Sequence, residues 1–378
     1  MSNTSFLSAH TAATISHKLL AWFSQHCRDL PWRQNPSPYR VWISEVMLQQ
    51  TQVDRVVPYF LKWMDQFPNI QAVAEADQEA VLKAWEGLGY YTRVKNIQAA
   101  AQTVWAQYDG ILPSDMPSLL ALPGIGPYTA AAIASLAFSQ PVPVVDANVQ
   151  RVIARILNLS HPIRSARAQK TVRSAVSGLI FHGGGDSRSL NQALMELGAL
   201  VCMPRNPFCA VCPVKGQCLS LAAEVVHLRP VLPDQKSSIA LQVAAGILLD
   251  KERILIQKRP AHGLMANLWE FPGGKLQAGE SPEQALVREF REELELNIQV
   301  LDKITVIKHS YTRFRVTLHV YWCAMTPPGQ EPVLHAASDF RWAAAKELDQ
   351  YPFPAADCKL IQMLSAQENP ELRTAKHS

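Results

Sequence analysis

Apolar positions divide the chain into two stretches with different periods. From Ser5 to Leu221 they recur at three- and four-residue spacing, punctuated by Pro and Gly, which predicts helices throughout. Tyr39 to Phe67 illustrates this: Val41, Val46, Val53, Val56, Val57, Phe60 and Trp63 fall on one helical period, so the segment is expected to be helical along its length. Pro68-Asn69 and Asp109-Gly110 mark short breaks. After Cys218 the character changes. His227 to Ser238 carries Pro230 and Pro233 among polar residues with no apolar period, and reads as a linker. Beyond it Ile239 to Leu249, Ile254 to Gln257 and Arg315 to Met325 read as strands, and Ser281 to Leu294 as a helix. Val316, Leu318, Val320 and Trp322 alternate with Thr317, His319 and Tyr321, the mark of a strand with two unlike faces. The expected organisation is an all-α domain at 5–226, a linker at 227–238, a mixed α+β domain at 239–366 and a tail at 367–378.

Composition adds limits. At roughly 100 to 200 residues per domain, 378 residues suit two or three domains, and 48% hydrophobic with 18% charged residues excludes a disordered or fibrous chain. No apolar run approaches the roughly 18 residues that span a bilayer, and MSNTSFLSAH lacks a basic region followed by an apolar one. A soluble, cytoplasmic protein with no membrane contact is expected. Residues 1 to 238 hold 20 Lys+Arg against 15 Asp+Glu, whereas residues 239 to 378 hold 16 against 17. The basic first part permits a polyanionic partner without demanding one. Of seven cysteines, Cys202, Cys209, Cys212 and Cys218 lie within seventeen residues. In a cytoplasmic setting such a cluster reads as a metal site, and Cys27, Cys323 and Cys358 as buried apolar residues.

Three places carry candidate chemistry. Leu122-Pro123-Gly124-Ile125-Gly126-Pro127-Tyr128-Thr129 leads into the Ala-rich helix Ala130 to Ala137. Gly124 and Gly126 let the backbone turn tightly, with N–H groups free at a helix N-terminus to hold a phosphate; the same hairpin could serve packing alone. Asp146, eighteen residues beyond Tyr128, is bracketed by apolar residues and could cap the helix that starts near Asn148. Glu45 stands in mid-helix with Val41, Trp42, Leu48 and Gln49 one turn away on either side. If it faces them, desolvation raises its pKa and suits it to general-acid work; if not, it is an exposed helical Glu.

With these in place the chain resembles the helix-hairpin-helix DNA glycosylase superfamily and, within it, the adenine DNA glycosylases of the MutY type. The matching segments are Arg28 to Arg33, Trp42 to Val53, Gly87 to Tyr91, the hairpin, the Asp146 segment, Asn191 to Gly198 and the cysteine cluster, in the family's order. The resemblance implies that Glu45 protonates adenine and that Asp146 stabilises the oxocarbenium-like sugar. It further implies that Tyr128 and Asn148 support the site, that Trp32, Arg33 and Leu48 line the adenine pocket, and that Gln192 hydrogen-bonds the flipped base. Gln50 and Tyr90 would wedge into the vacated duplex. The similar endonuclease III family cleaves the strand with a lysine where Tyr128 stands, so a monofunctional glycosylase is expected. The spacing C-x6-C-x2-C-x5-C resembles the superfamily's [4Fe-4S] loop. Four thiolates suit such a cluster or tetrahedral zinc; the single C-x-x-C pair favours iron–sulfur, placing Arg205 and Lys215 near phosphates.

The second domain resembles a Nudix fold. Gly274, Glu280, Arg288, Glu289, Phe290, Glu292, Glu293 and Leu296 follow its box, with Glu295 in place of the second glycine. Glu289, Glu292 and Glu293 share one helix face and could hold Mg²⁺, since like charges there need a cation, although Glu295 puts the following turn in doubt. The flanks Met265 to Lys275 and Pro352 to Asp357 resemble MutT-type hydrolases of oxidised guanine nucleotides. In MutY-type proteins this domain reads 8-oxoguanine, and the reading loop falls here at Tyr311-Thr312-Arg313. The resulting expectation is a monomeric repair enzyme that removes adenine opposite 8-oxoguanine in double-stranded DNA. The rival readings are a non-catalytic lesion-binding protein and a bifunctional one that also hydrolyses 8-oxo-dGTP.

Overall fold

A computed structural model describes residues 7–233, 238–311 and 314–366. The chain forms two compact units, 1–75 with 96–235, and 76–95 with 236–378. Within the described part, no helix is long and apolar enough to cross a membrane.

The first unit is helical. Its helices start where short polar side chains can satisfy free backbone N–H groups: Ser8 before Ala9–His26, Ser37 before Pro38–Leu48, Asp146 before Ala147–Ile156 and Ser165 before Ala166–His182. Ala9–His26, Ala147–Ile156, Ala166–His182 and Ser187–Leu200 bury Ile15, Leu19, Val152, Ile153, Val172, Leu179, Leu194 and Leu197 in one core. A smaller cluster of Val41, Ala131, Ala132, Leu136 and Val144 holds the hairpin region.

Two expectations need correction here. The helix expected from Tyr39 to Phe67 is two helices, Pro38–Leu48 and Val53–Gln66, because Gln50 turns the backbone to a φ of 58°. No Gly or Pro marks that break, and the apolar period runs straight across it. The Ala-rich helix begins at Pro127 and passes at Ile133–Ala137 into a π-helical turn, a form that tends to occur at functional sites.

The second unit is built on a sheet of seven strands among the described residues, β1 (Ile239–Asp250), β2 (Arg253–Lys258), β3 (Trp269–Glu270), β4 (Gly273–Lys275), β5 (Ile298–Tyr311), β6 (Phe314–Met325) and β7 (Asp339–Ala344). β1 is central, parallel to β6 over a long register from Ile239↔Phe314 to Leu248↔Cys323, and antiparallel to β2 and β4. β5 and β6 form an antiparallel pair, and β2 also pairs with β3 and β7. Alternation along β1 sends Ala244 and Leu248 to one core with Leu286, Phe290 and Leu294 of helix Pro282–Leu294. Ala245 and Ile247 face the other core, with Leu360 and Ile361 of helix Ala355–Ala366.

Ala76–Lys95, expected in the helical domain, belongs to the second unit. Glu79 accepts from Lys258 Nζ at 2.5 Å and from Trp269 Nε1 at 3.3 Å, the Phe353 N–H donates to Glu86 Oε1 at 2.8 Å, and the Tyr91 hydroxyl donates to the Phe353 carbonyl at 2.8 Å. The first half of the expected linker is packed rather than free: the Ile163 N–H donates to the Val231 carbonyl at 2.8 Å, and Arg229 Nε to Asn158 Oδ1 at 2.8 Å. Residues 234–237 and the expected tail, 367–378, lie outside the described residues.

The turn after helix Pro282–Leu294 keeps its geometry despite lacking glycine. Glu295 closes the helix at φ 55° and ψ 23°, a left-handed conformation that costs a side-chain-bearing residue about 1–2 kcal/mol. Its carboxylate meets His335 Nε2 at 2.7 Å, but both side chains are at least half exposed, so the pair contributes about 1 kcal/mol at most. Glu295→Gly should therefore stabilise the protein by about 0.5–1 kcal/mol. A urea midpoint that rises at unchanged slope checks this; a fall would show the ion pair outweighing the backbone strain.

Candidate active site

Helix Pro38–Leu48 is buried on nearly all sides: Val41 to Met47 are inaccessible without interruption, and Glu45, within that run, is 3% exposed. The Tyr128 hydroxyl, from the first turn of the helix after the hairpin, donates to Glu45 Oε2 at 2.5 Å. Burial pushes the Glu45 carboxyl up to about 7. The Tyr128 hydrogen bond opposes that rise, the negative charge of Asp146 adds to it, and Arg33 opposes it. Burial and the two carboxylates also hold the Tyr128 hydroxyl well above its usual range, so it remains a donor.

Asp146 serves as both cap and cavity group. One carboxylate oxygen accepts the Val149 N–H at 2.7 Å, ending the backbone's free donors at helix Ala147–Ile156, and the other accepts from Asn148 Nδ2 at 3.0 Å. Burial raises its pKa, against the hydrogen bonds from Val149 and Asn148 and the charge of Arg151. Asn148 is held in turn by Arg151, whose Nη2 donates to Asn148 Oδ1 at 2.8 Å and to the Gly198 carbonyl at 2.8 Å, and whose Nε donates to the Cys202 carbonyl at 2.8 Å. A Cβ on Gly198 would lie 2.5 Å from Asn148 Cβ, so glycine is needed there for the two helices to approach.

These groups open onto a cavity of about 1030 Å³. Glu45, Tyr128, Asp146, Asn148, Trp32, Arg33, Leu48, Gln50, Gly124, Gly126 and Gln192, scattered from position 32 to position 192, all line it. Gly124 needs its freedom, with φ at +72° and a Cβ that would meet Asn96 at 2.4 Å; Gly126 is extended and faces open space, so it is not required by the turn itself. Tyr90 does not line the cavity: it lies in the second unit, 39% exposed, with the Arg93 guanidinium 5.5 Å from its ring. Tyr311 ends β5, and Thr312 and Arg313 lie outside the described residues.

Glu196 was not assigned a role by sequence reasoning. It lines the cavity at 1% exposure and takes a bidentate contact from Arg28, Nε at 2.8 Å and Nη2 at 3.0 Å, together with Arg33 Nη2 at 2.9 Å. Burial alone would raise this carboxyl, but the two guanidinium groups outweigh it and hold it at about 2. It is thereby held ionised, whereas burial pushes Glu45 the other way, and it fixes Arg33 at the cavity wall. The signal was available: Glu196 is a mid-helix Glu with Ala193, Ala199 and Leu200 on its face, the argument that singled out Glu45.

The four clustered cysteines are free thiols close enough to affect one another, with Cys212 pushed up to about 11 by burial first and then by its three neighbours. Among the described residues no three His, Cys, Asp or Glu side chains form a ready-made metal site, so the sulfurs would have to close around a metal. The donor chemistry fits one: Arg155 donates to Cys202 Sγ at 3.3 Å and to the Met203 and Pro204 carbonyls, orienting the loop's first sulfur. Arg205 and Lys215 are exposed beside it, Cys323 is buried and Cys358 partly so, but Cys27 is exposed, contrary to expectation.

The acidic helix of the second unit departs from the reasoning that pointed to Mg²⁺. The cation its carboxylates need is Arg288, which meets Glu280 at 2.8 Å, Glu289 at 2.8 Å and Glu292 at 3.1 Å. Glu293 accepts from Gln257 Nε2 at 3.1 Å. Gly274 lies close beside this cluster: a Cβ there would come within 2.2 Å of the Glu289 carboxylate, which would have to move.

Removing the Tyr128 hydroxyl should raise the Glu45 pKa further above about 7, because the lost hydrogen bond favours the ionised form. In Tyr128→Phe, infrared titration of the Glu45 carboxyl, identified by its loss in Glu45→Gln, should show the protonated band persisting to higher pH than in the parent. A band lost at the same or lower pH would mean that the hydroxyl does not set this pKa.

Comparison with known proteins agrees with this geometry. Residues 43–176 match the HhH-GPD superfamily base excision DNA repair protein family, and residues 243–363 match the NUDIX domain. The chain is 32% identical to the adenine DNA glycosylase of Homo sapiens, covering 93% of this chain and 74% of that protein. It is also 32% identical to that of Buchnera aphidicola subsp. Acyrthosiphon pisum (strain APS), covering 82% and 86%. A solved thermostable thymine-DNA glycosylase aligns with a TM-score of 0.52 at 27% identity, over 57% of this chain and 98% of that one. The protein belongs to the adenine DNA glycosylase family, base-excision DNA repair enzymes that hydrolyse the N-glycosidic bond, here with a helical HhH-GPD domain followed by a NUDIX domain.

Proposed function

We propose that this glycosylase removes adenine mispaired with 8-oxoguanine in duplex DNA and leaves an intact strand with an abasic site. The observation that carries the reading is the pairing of unlike carboxyls in one cavity: Glu45 with a pKa near 7, in contact with Tyr128, and Asp146 held by Val149 and Asn148. In this reading Glu45 gives its proton to a ring nitrogen of the flipped adenine. The C1′–N9 bond then breaks with its electron pair leaving on the base, and Asp146 stabilises the positive sugar. Water adds at C1′ and its proton returns to a carboxylate. Trp32, Leu48 and Gln192 would hold the base, with Arg33 fixed by Glu196. Tyr128 stands where strand cleavage would need a lysine, and its hydroxyl is already committed to Glu45. The NUDIX domain supports the choice of 8-oxoguanine as the opposite base, through the resemblance to MutY-type proteins.

A purely lesion-binding protein would have no use for a buried carboxyl kept protonated near neutrality. The arrangement of the acidic helix supports a structural role for Glu289, Glu292 and Glu293, since Arg288 and Gln257 already engage them. For the cysteines, Cys202, Cys209, Cys212 and Cys218 would hold a [4Fe-4S] cluster, which when bound would pin the loop and its cations near phosphates.

Single-turnover assays on A:8-oxoguanine and A:G duplexes test the function. Excision should be faster opposite 8-oxoguanine, with strand breakage only after alkali, and Glu45→Gln should lose about 10²–10⁴-fold or more in rate while still binding. Equal rates on the two duplexes would overturn the lesion preference, and undiminished excision by Glu45→Gln would overturn the acid assignment. Metal analysis tests the cluster. Purified protein should be brown with about four iron atoms per chain, whereas a colourless, active protein with about one zinc would identify the other metal.

A further inference from the structure

From Ala147 through Gly185 the chain has no acidic residue but six cations, Arg151, Arg155, Arg164, Arg167, Lys170 and Arg173. Arg151 and Arg155 are buried and engaged by the cysteine loop, which leaves four that are exposed. Arg164 precedes helix Ala166–His182, and the other three lie on it. At about 100° per residue, Arg167, Lys170 and Arg173 fall within an arc of about 120°, with exposed Ser174 and Ser177 in the same arc. The opposite face buries Ala168, Val172, Ala175, Val176 and Leu179 in the core. None of the residues lining the adenine cavity belongs to this helix.

A charged helix face is usually a solvated one, and here the charge pattern decides against that reading. Among the described residues none of the four cations has an ion pair, and the helix has no acidic residue in its first turn. Like charges three residues apart repel, and Arg167 in the first turn opposes the helix dipole. For stability alone these are the wrong charges in the wrong places, which is where a function is expected to reside.

We infer that the exposed face of helix Ala166–His182, with Arg164, is a second contact for the phosphate backbone of duplex DNA, separate from the cavity that takes the adenine. It rests on the enzyme's action on duplex DNA and adds a holding surface that carries no sequence information. The arc rises about 9 Å from Arg167 to Arg173, on the order of three phosphates of one strand at about 3.4 Å of axial rise each. Ser174 and Ser177 would supply hydroxyl donors between the cations.

The test is the full-length Arg167→Gln/Lys170→Gln/Arg173→Gln variant, since glutamine keeps helix propensity and removes only charge. Its affinity for a long duplex without any mispair is measured across a series of KCl concentrations. Each lost phosphate contact should reduce the slope of log affinity against log salt by about 0.9, so the triple variant should lose up to about 2.7 in slope and at least tenfold in affinity near 0.1 M salt. Single-turnover excision from a short mispaired duplex at saturating enzyme should stay within about twofold of the parent, and thermal stability should hold or rise as the repulsion is removed. Unchanged slope and affinity would overturn the proposal. So would a matching loss in the saturating excision rate, which would place these residues at the catalytic cavity. Failure of excision in the parent protein would instead count against the glycosylase reading, which keeps the two apart.

Discussion

Two carboxyl groups sharing one cavity cannot both be charged without cost, and the first unit is organised around that constraint. Glu45 sits where water does not reach, and burial outweighs the hydrogen bond that Tyr128 offers to its ionised form, so its pKa settles near neutrality. Glu196, no more exposed, meets two guanidinium groups and stays ionised. Much of the difference lies in the partners. A tyrosine can moderate a buried carboxyl, but a bidentate arginine commits it. With its pKa near neutrality Glu45 can hold a proton where Glu196 cannot, and Glu196 holds Arg33.

Support for Asp146 extends further than its cap. Asn148 bonds Asp146, Arg151 bonds Asn148, and the same guanidinium reaches the Cys202 carbonyl, so a continuous set of hydrogen bonds joins the cavity to the cysteine loop. Arg155, one helical turn on, holds that loop by its Met203 and Pro204 carbonyls. Helix Ala147–Ile156 is thus capped by a carboxylate and carries two loop-holding arginines behind it. A displacement of the loop would reach Asp146 through two side chains, Arg151 and Asn148.

Much of this was legible in residue patterns. Period and punctuation separated a helical from a mixed domain, and Glu45 and Asp146 stood out as charges among apolar neighbours. What the patterns do not show depends on geometry that exists only in the folded chain. The break at Gln50 has no glycine or proline to mark it, and the backbone turns there at a φ of 58°. Arg288 appeared as one cation among glutamates, and only the folded helix shows it closing onto Glu280, Glu289 and Glu292 together. Glu295 replaces the glycine that usually ends such a helix, yet its N–H still reaches the Phe290 and Arg291 carbonyls in the left-handed conformation, and Val333 and His335 bond the helix end at Leu294 and Glu293. β5 was missed because its alternation is interrupted by a register shift between Val300 and Thr305.

The chain passes between the two units more than once. Ala76–Lys95 leaves the helical unit, completes the second one through Glu79, Glu86 and Tyr91, and returns. Trp269, fully buried, donates its indole N–H to Glu79, so part of the second unit's core is closed by a residue that precedes it by 190 positions. Neither unit is then a continuous segment, and a cut within the linker would strip the second unit of this helix as well as separate the two. Tyr90, which the resemblance assigns to the duplex wedge, travels with that inserted segment. Arg93 lies over both the Tyr90 and Trp85 rings and donates to the Leu88 and Gly89 carbonyls, which stiffens the turn that presents it. The position of Tyr90 is thus set by contacts within its own unit, from Arg93 at short range and from the Tyr91 hydroxyl to the Phe353 carbonyl at long range.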